Sequence, residues 1–210
     1  DRFGFNNPDT EWDGDEIEYI VIGDSFAHGA CVNRPNDISS ILRNLTKKKV
    51  LNLGYGHIGP LFEYIILREY LPKNTKKILW LYYEGNDQSD LNKELDNKFL
   101  DNYLLDSKFS QGLIKRQTEV DELIKKKIPD LLKYKEELKN KENIKYKILK
   151  FVRLDKTKRI LRNKKEKFQK KKFIEIIKRA NDLAIDNNSK LYFVYLPSYH
   201  RYNKIIKDDD

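Results

Sequence analysis

Apolar residues along the chain fall into two kinds of run. Some are short and nearly continuous: "YIVI" at Tyr19–Ile22, "KVLNL" at Lys49–Leu53, "KILWLYY" at Lys77–Tyr83 and "KLYFVYLP" at Lys190–Pro197. Such blocks, rich in β-branched and aromatic residues, predict strands of a parallel sheet covered on both faces. The others recur at spacings of three and four. Ile38, Ile41, Leu42 and Leu45 follow Pro35, "LFEYIILREYL" follows Pro60, and Phe173, Ile176, Ile177, Ala180, Leu183 and Ala184 mark a third helical face. Ahead of them, "DRFGFNNPDTEWDGDE" reads as a turn-rich lead-in anchored by Phe3, Phe5 and Trp12. From about Leu91 to Lys172 the chain is charged and helical in character, with a break expected at Pro129 and no buried strand. The alternation predicts an α/β fold, a three-layer sandwich with a parallel sheet and right-handed crossovers. It is read as one domain over residues 1–210 with a helical insertion at about 91–172.

Composition adjusts this picture only slightly. Of 210 residues 39% are apolar and 36% charged, but 13 Tyr and 10 Phe give more aromatic mass than a disordered chain carries. The net charge of +9 gathers in Lys156–Lys172, where ten basic residues meet one acid, Glu166. Lysine dominates there and no nucleic-acid motif accompanies it, so the run is read as a solvated helix face and no nucleic-acid partner is expected. Cys31 is alone, which excludes an intrachain disulfide; it is expected to pack as a small hydrophobe. The three histidines and the cysteine lack metal-ligand spacing, and neither metal nor cofactor is expected. No apolar run reaches membrane-spanning length. The chain starts at Asp1 and has no Met, so the expectation is a piece of a longer protein. A membrane anchor elsewhere in that protein stays open, as does localisation.

Three strand ends carry polar or glycine-rich loops that a parallel sheet opens on one edge: "GDSFAHG", "GYGHIGP" and "EGND". Together they fit acyl transfer. Ser25 is the candidate nucleophile, and an oxyanion formed from its target needs preorganised donors. Backbone N–H groups of Ser25 and of the glycine loop, with the Asn86 side-chain amide, are the candidates. Gly23 permits a sharp turn, and a helix starting at Ser25 would set its positive end beneath the hydroxyl. Asp24 and Asp87 are supporting candidates. Taken singly, Gly-Asp-Ser is a turn and cap, and Asn-Asp a turn; their recurrence after three strands carries the reading.

The chain here resembles the SGNH (GDSL-type) hydrolase family. "GDSF" at Gly23–Phe26 is similar to its first block, with Ser25 in the nucleophile place. "NLGYGHIGP" at Asn52–Pro60 resembles the second, whose glycine N–H lines the oxyanion hole, and "GND" at Gly85–Asp87 resembles the third, with Asn86 as side-chain donor. "GFNNPD" and "GDSFAHGACV" resemble a bacterial branch associated with cell-surface polysaccharide genes. The resemblance covers Asp1 to about Leu91 and returns at "FVYLPSYHRY". It implies a flavodoxin-like sheet and hydrolysis of an acyl ester or of an acetylated carbohydrate, the substrate being the expected partner.

Two departures qualify it. The glycine of the second block falls at Gly56 or His57, and the family's Asp-x-x-His block is absent from these residues. A truncated chain with little esterase activity of its own is therefore expected. His28 is read as lining the pocket or packing locally, and His57 lies on the oxyanion loop. His200 follows the fourth strand, either as a general base or as a pocket or surface residue. An ester hydrolase, an O-acyltransferase serving surface polysaccharide and a non-catalytic binding protein all fit the same blocks.

Overall fold

The structure, a computed structural model, describes residues 1–14, 16–152, 169–199 and 201–202; over 139–152 the backbone alone is described. The chain divides into two compact units, one formed by Asp1–Ile114 with Phe168–Asp210 and the other by Lys115–Lys167.

The first unit is an α/β layer structure. Its strands are β1 (Ile17–Gly23), β2 (Val50–Asn52), β3 (Thr75–Tyr83) and β4 (Lys190–Leu196), all parallel, in the order β2-β1-β3-β4. In register, Ile20 stands beside Leu51 and Ile78, and Ile22 beside Trp80. Ile20, Val21 and Ile22 are fully buried in succession, so both faces of β1 are covered. This is why the strand reads as an unbroken apolar run rather than an alternation.

The helices are α1 (Ser25–His28), α2 (Ile38–Thr46), α3 (Pro60–Tyr70), α4 (Asp87–Glu94), α5 (Asn102–Leu105), α6 (Gln117–Val152) and α7 (Lys170–Asp186). One face of the sheet joins Ile20, Ile22, Leu51, Ile78 and Trp80 to Leu61, Ile65 and Leu67 of α3 and Ile176, Ala180 and Ala184 of α7. The two alanines let α7 approach closely, since neither has a side chain beyond Cβ. Phe3 and Phe5 of the lead-in close this core edge-on against Tyr70, at 5.7 and 5.0 Å between ring centroids. Residues 91–114 also feed it, through Leu91, Leu100, Tyr103 and Leu104. The opposite face carries a smaller cluster of Val21, Ala27, Val50 and Leu81, with Leu42 of α2 packed on it.

α2 forms where its apolar spacing predicts a helix, but Ile38, Ile41 and Leu45 are exposed and only Leu42 reaches the sheet cluster. A correction concerns α6, in the other unit, which runs without interruption through Pro129. Lys, Glu and Leu on either side of that proline are strong helix formers and carry the helix past one missing N–H. The run Lys156–Lys172 lies outside the described residues up to residue 168; its last three lysines open α7.

Candidate functional site

β1 ends in a glycine for a steric reason. A Cβ on Gly23 would stand 2.6 Å from the Leu81 carbonyl oxygen of the neighbouring strand. The chain then turns at Asp24, whose carboxylate accepts the Phe26 N–H at 2.9 Å and caps α1. Ser25 follows as the first helical residue, half-buried, its Oγ 3.4 Å from the second Asp24 oxygen. α1 is a single turn. The positive helix end expected beneath Ser25 is correspondingly small, because the macrodipole sums over aligned peptides.

The loop after β2 is stitched to this turn. Tyr55 N–H donates to the Gly23 carbonyl at 3.1 Å, and Asn52 Nδ2 donates to the Ala27 carbonyl at 2.7 Å. His28 pairs through Nδ1 with the Gly54 carbonyl at 3.2 Å and lies edge-on to Tyr55. His28 is thus engaged in local packing, one of its two expected roles. Gly54 allows the approach: a Cβ there would meet Ala27 Cβ at 2.5 Å and His28 N at 2.6 Å. Behind it, buried Asn7 of the lead-in donates to the Asn52 carbonyl and accepts the Asn52 N–H at 2.7 Å. Of the two candidates for the family glycine, Gly56 has open space around its Cβ position, while His57 is left-handed at φ 64°. Glycine enters that region without steric cost, and His, with Asn and Asp, does so more readily than other side chains, so His57 stands where a glycine is the easier choice.

The exit of β3 brings the third loop. Tyr83 stacks at a tilt against Phe26 with ring centroids 4.3 Å apart, and its N–H donates to Asp87 at 2.6 Å. Asn86 precedes α4, and its Nδ2 donates to Asp90 Oδ2 at 2.8 Å; Lys93 holds the other Asp90 oxygen at 2.6 Å. The amide therefore has one N–H committed to Asp90 and a second to offer.

Beneath these loops lies a set of buried carboxyl groups: Asp24, Glu63, Asp87 and Glu94. Burial pushes the Asp87 carboxyl up to about 8, with the Asp24 charge adding to it. Burial also drives Glu63 well above the usual carboxylate range, and the Asp87 charge acts in the same direction. Glu94 rises to about 7 by burial, although it accepts the Gly59 and Leu61 N–H groups at the start of α3. Glu63 Oε2 accepts Trp80 Nε1–H at 2.5 Å. Among the described residues, Glu63 Oε1 and Asp87 Oδ1 have no hydrogen-bond partner. Burial thus favours the protonated form of both Glu63 and Asp87, since a bare buried carboxylate costs far more than its protonated form. Among the described residues no cluster of His, Cys, Asp and Glu is arranged to hold a metal ion.

Glu63, Asp90 and Glu94 were not singled out by sequence. A signal exists for Glu63, an acid inside the apolar run "PLFEYIIL"; Asp90 and Glu94 look like ordinary helix-surface acids.

Two cavities adjoin the loops. One of about 270 Å³ is lined by Ser25 with Phe26, Val32 and Ile38. Cys31 also lines it and is exposed, so it is not the packed hydrophobe expected from sequence; the loop at 29–36 carries it outward, away from both sheet clusters. The second, of about 630 Å³, is lined by Gly56 and His57 together with Asp90. His200 lies outside the described residues.

Comparison with protein-family models, with curated proteins and with solved structures finds no match to this chain.

Proposed function

We propose that this chain carries the nucleophile and oxyanion donors of a serine hydrolase acting on ester bonds, of the flavodoxin-like SGNH type. The observation that supports it most is the stitching of the second and third loops to the turn that holds Ser25, through Tyr55 N–H on Gly23 and the Phe26–Tyr83 ring contact. Gly23 and Leu81 are partners in register, which sets the exits of β1 and β3 side by side.

In this reading Ser25 Oγ attacks the ester carbonyl carbon and its proton passes to a base. The oxyanion is held by the free N–H of Asn86 and by backbone N–H groups of the Ser25 turn and the Gly56–His57 loop. Collapse expels the alcohol, which takes the proton. Water then adds to the acyl-serine and releases the acid, restoring Ser25. If a sugar hydroxyl replaces water, the same steps make an O-acyltransferase. Among the described residues no histidine hydrogen-bonds Ser25 Oγ; the base is either His200 or a histidine of the natural protein outside this chain.

The test is hydrolysis of p-nitrophenyl acetate by this chain and by the full-length natural protein, each with Ser25→Ala, Asn86→Ala, His28→Ala and His200→Ala. Turnover is expected to vanish with Ser25→Ala and to fall roughly 10²–10³-fold with Asn86→Ala. A loss with His200→Ala but not His28→Ala assigns the base. Turnover that survives Ser25→Ala refutes the proposal. The commitment of one Asn86 N–H to Asp90 also favours a second reading, a binding protein without turnover, and inactivity of every form would select it.

A further inference from the structure

The larger cavity is mostly apolar, and apart from Gly56, His57 and Asp90 its walls come from parts of the chain that the proposed chemistry does not use. Phe5, Tyr70 and Leu100 are almost fully buried at its base, whereas Phe62 and Tyr55 are 36% and 50% exposed. The first fourteen residues thus do more than complete the core: Phe3 and Phe5 wall a cavity that α3 alone would leave open. At about 630 Å³ it lies within the range of roughly 300–1,000 Å³ typical of small-molecule sites.

Its position links it to the proposed reaction. Gly56 and His57, from the loop tied to the Ser25 turn, form part of its lining. Asp90, the residue bonded to the Asn86 amide, forms another part, and Lys93 at this side is 71% exposed. A group seated in the cavity therefore meets the Gly56–His57 loop and Asp90 on its polar lining, and Phe5, Tyr70 and Leu100 on its apolar lining.

We infer that the cavity between α3, α4 and the aromatic lead-in holds the acyl chain of the substrate, so that the ester cleaved carries a medium-length apolar acyl group rather than an acetyl group. The inference rests on the ester-hydrolase reading. The smaller cavity beside Ser25, about 270 Å³, then takes the alcohol half. Transfer of apolar surface out of water supplies the selectivity, since each methylene that enters the cavity fully contributes about fourfold in affinity.

Two measurements separate this inference from the reading beneath it. The first follows kcat/KM of the full-length protein for p-nitrophenyl acetate, butyrate, octanoate and decanoate. The second follows fluorescence of 11-(dansylamino)undecanoate added to the Ser25→Ala protein, with decanoate as competitor. The expected results are a rise of about two- to fourfold per methylene from butyrate to octanoate, and probe binding displaced by decanoate. Ile66→Trp, which fills the cavity from α3, should remove both effects while leaving acetate hydrolysis unchanged. Phe62→Asp, at a half-exposed position, serves where the tryptophan disturbs folding, as judged by circular dichroism. Ser25-dependent activity that is greatest on acetate, with no bound probe, overturns the inference and leaves the hydrolase reading standing. Probe binding that both variants leave intact overturns it as well. Bound, displaceable probe lost in the variants, with no Ser25-dependent hydrolysis of any ester, keeps the apolar site and refutes the reading on which its acyl role rests.

Discussion

The two faces of the sheet are built differently. On one, Ile20, Ile22, Leu51 and Trp80 are closed off by α3, α7 and the aromatic lead-in, and buried side chains run continuously from Phe5 to Ala184. On the other, Val21, Val50 and Leu81 meet the single turn of α1 and one leucine of α2, while Ile38, Ile41 and Leu45 stay in solvent. The first face supplies the burial that holds the unit together. The second leaves room for a half-buried hydroxyl, Ser25, beside a cavity. Between them, at the strand ends, lie acids whose burial raises their proton affinity. The contrast shows how one sheet divides stability from access.

The sharpest way to break this contrast is to cut into the sealed face. Leu67→Ala on α3 removes a fully buried side chain and should cost about 2–5 kcal/mol, read as a lower urea midpoint. A loss below 1 kcal/mol would mean that the face is less tightly filled than its burial implies.

Next comes the seam between the two loops on the open side. Gly54→Ala puts a Cβ against Ala27 and the His28 backbone, and should cost about 1–3 kcal/mol by overpacking. If Ser25 chemistry depends on that seam, ester turnover should fall with it, whereas Leu67→Ala should spare turnover in the molecules that remain folded. Equal effects of the two changes on folded-state turnover would erase the distinction.

Acidity offers a third probe. Glu63, Asp87 and Glu94 bind protons more tightly folded than unfolded, because burial raises each of them. The folded state therefore carries excess protons from about pH 4 upward through about 7 and 8. Stability falls as pH rises through that window, by up to about 1.4 kcal/mol per pH unit for each excess proton. Thermal unfolding at pH 5.5 and 8.5 should show the lower midpoint at pH 8.5, and Glu63→Gln should narrow the gap. A midpoint that climbs between those values would contradict tighter proton binding by these acids in the folded state.

The smallest effect belongs to the open face. Leu45, 76% exposed, should tolerate serine within about 0.5 kcal/mol in the same urea measurement. A larger loss would reveal cover on α2 that the described residues do not provide.

Much of the scaffold was legible along the chain. Apolar runs located the four described strands. The reason holds for β1, which is buried on both faces and has no polar side to show. The edge strand β4 leaves Tyr192, Phe193 and Tyr195 exposed, contrary to the expectation that its apolar run is covered. The glycine-rich loops were legible too, since Gly23 has no room for a Cβ beside Leu81. Less was visible where partners are distant in sequence. Asn7 reads as part of a turn, yet its side chain bonds the Asn52 backbone 45 residues away and positions the second loop. Asp90 reads as a surface acid, yet it orients Asn86.

What the sequence determined by itself was the type and order of the elements and the placement of Ser25, Gly56 and Asn86 in segments that follow the ends of parallel strands, because these follow from local periodicity and chain direction. Only the tertiary structure decided which apolar faces are covered, which acids lose their solvent, and that the lead-in walls a cavity beside those loops. Periodicity names the face of a helix that is apolar, but burial and proton affinity depend on what stands opposite it, and that is set by chain segments far apart in sequence.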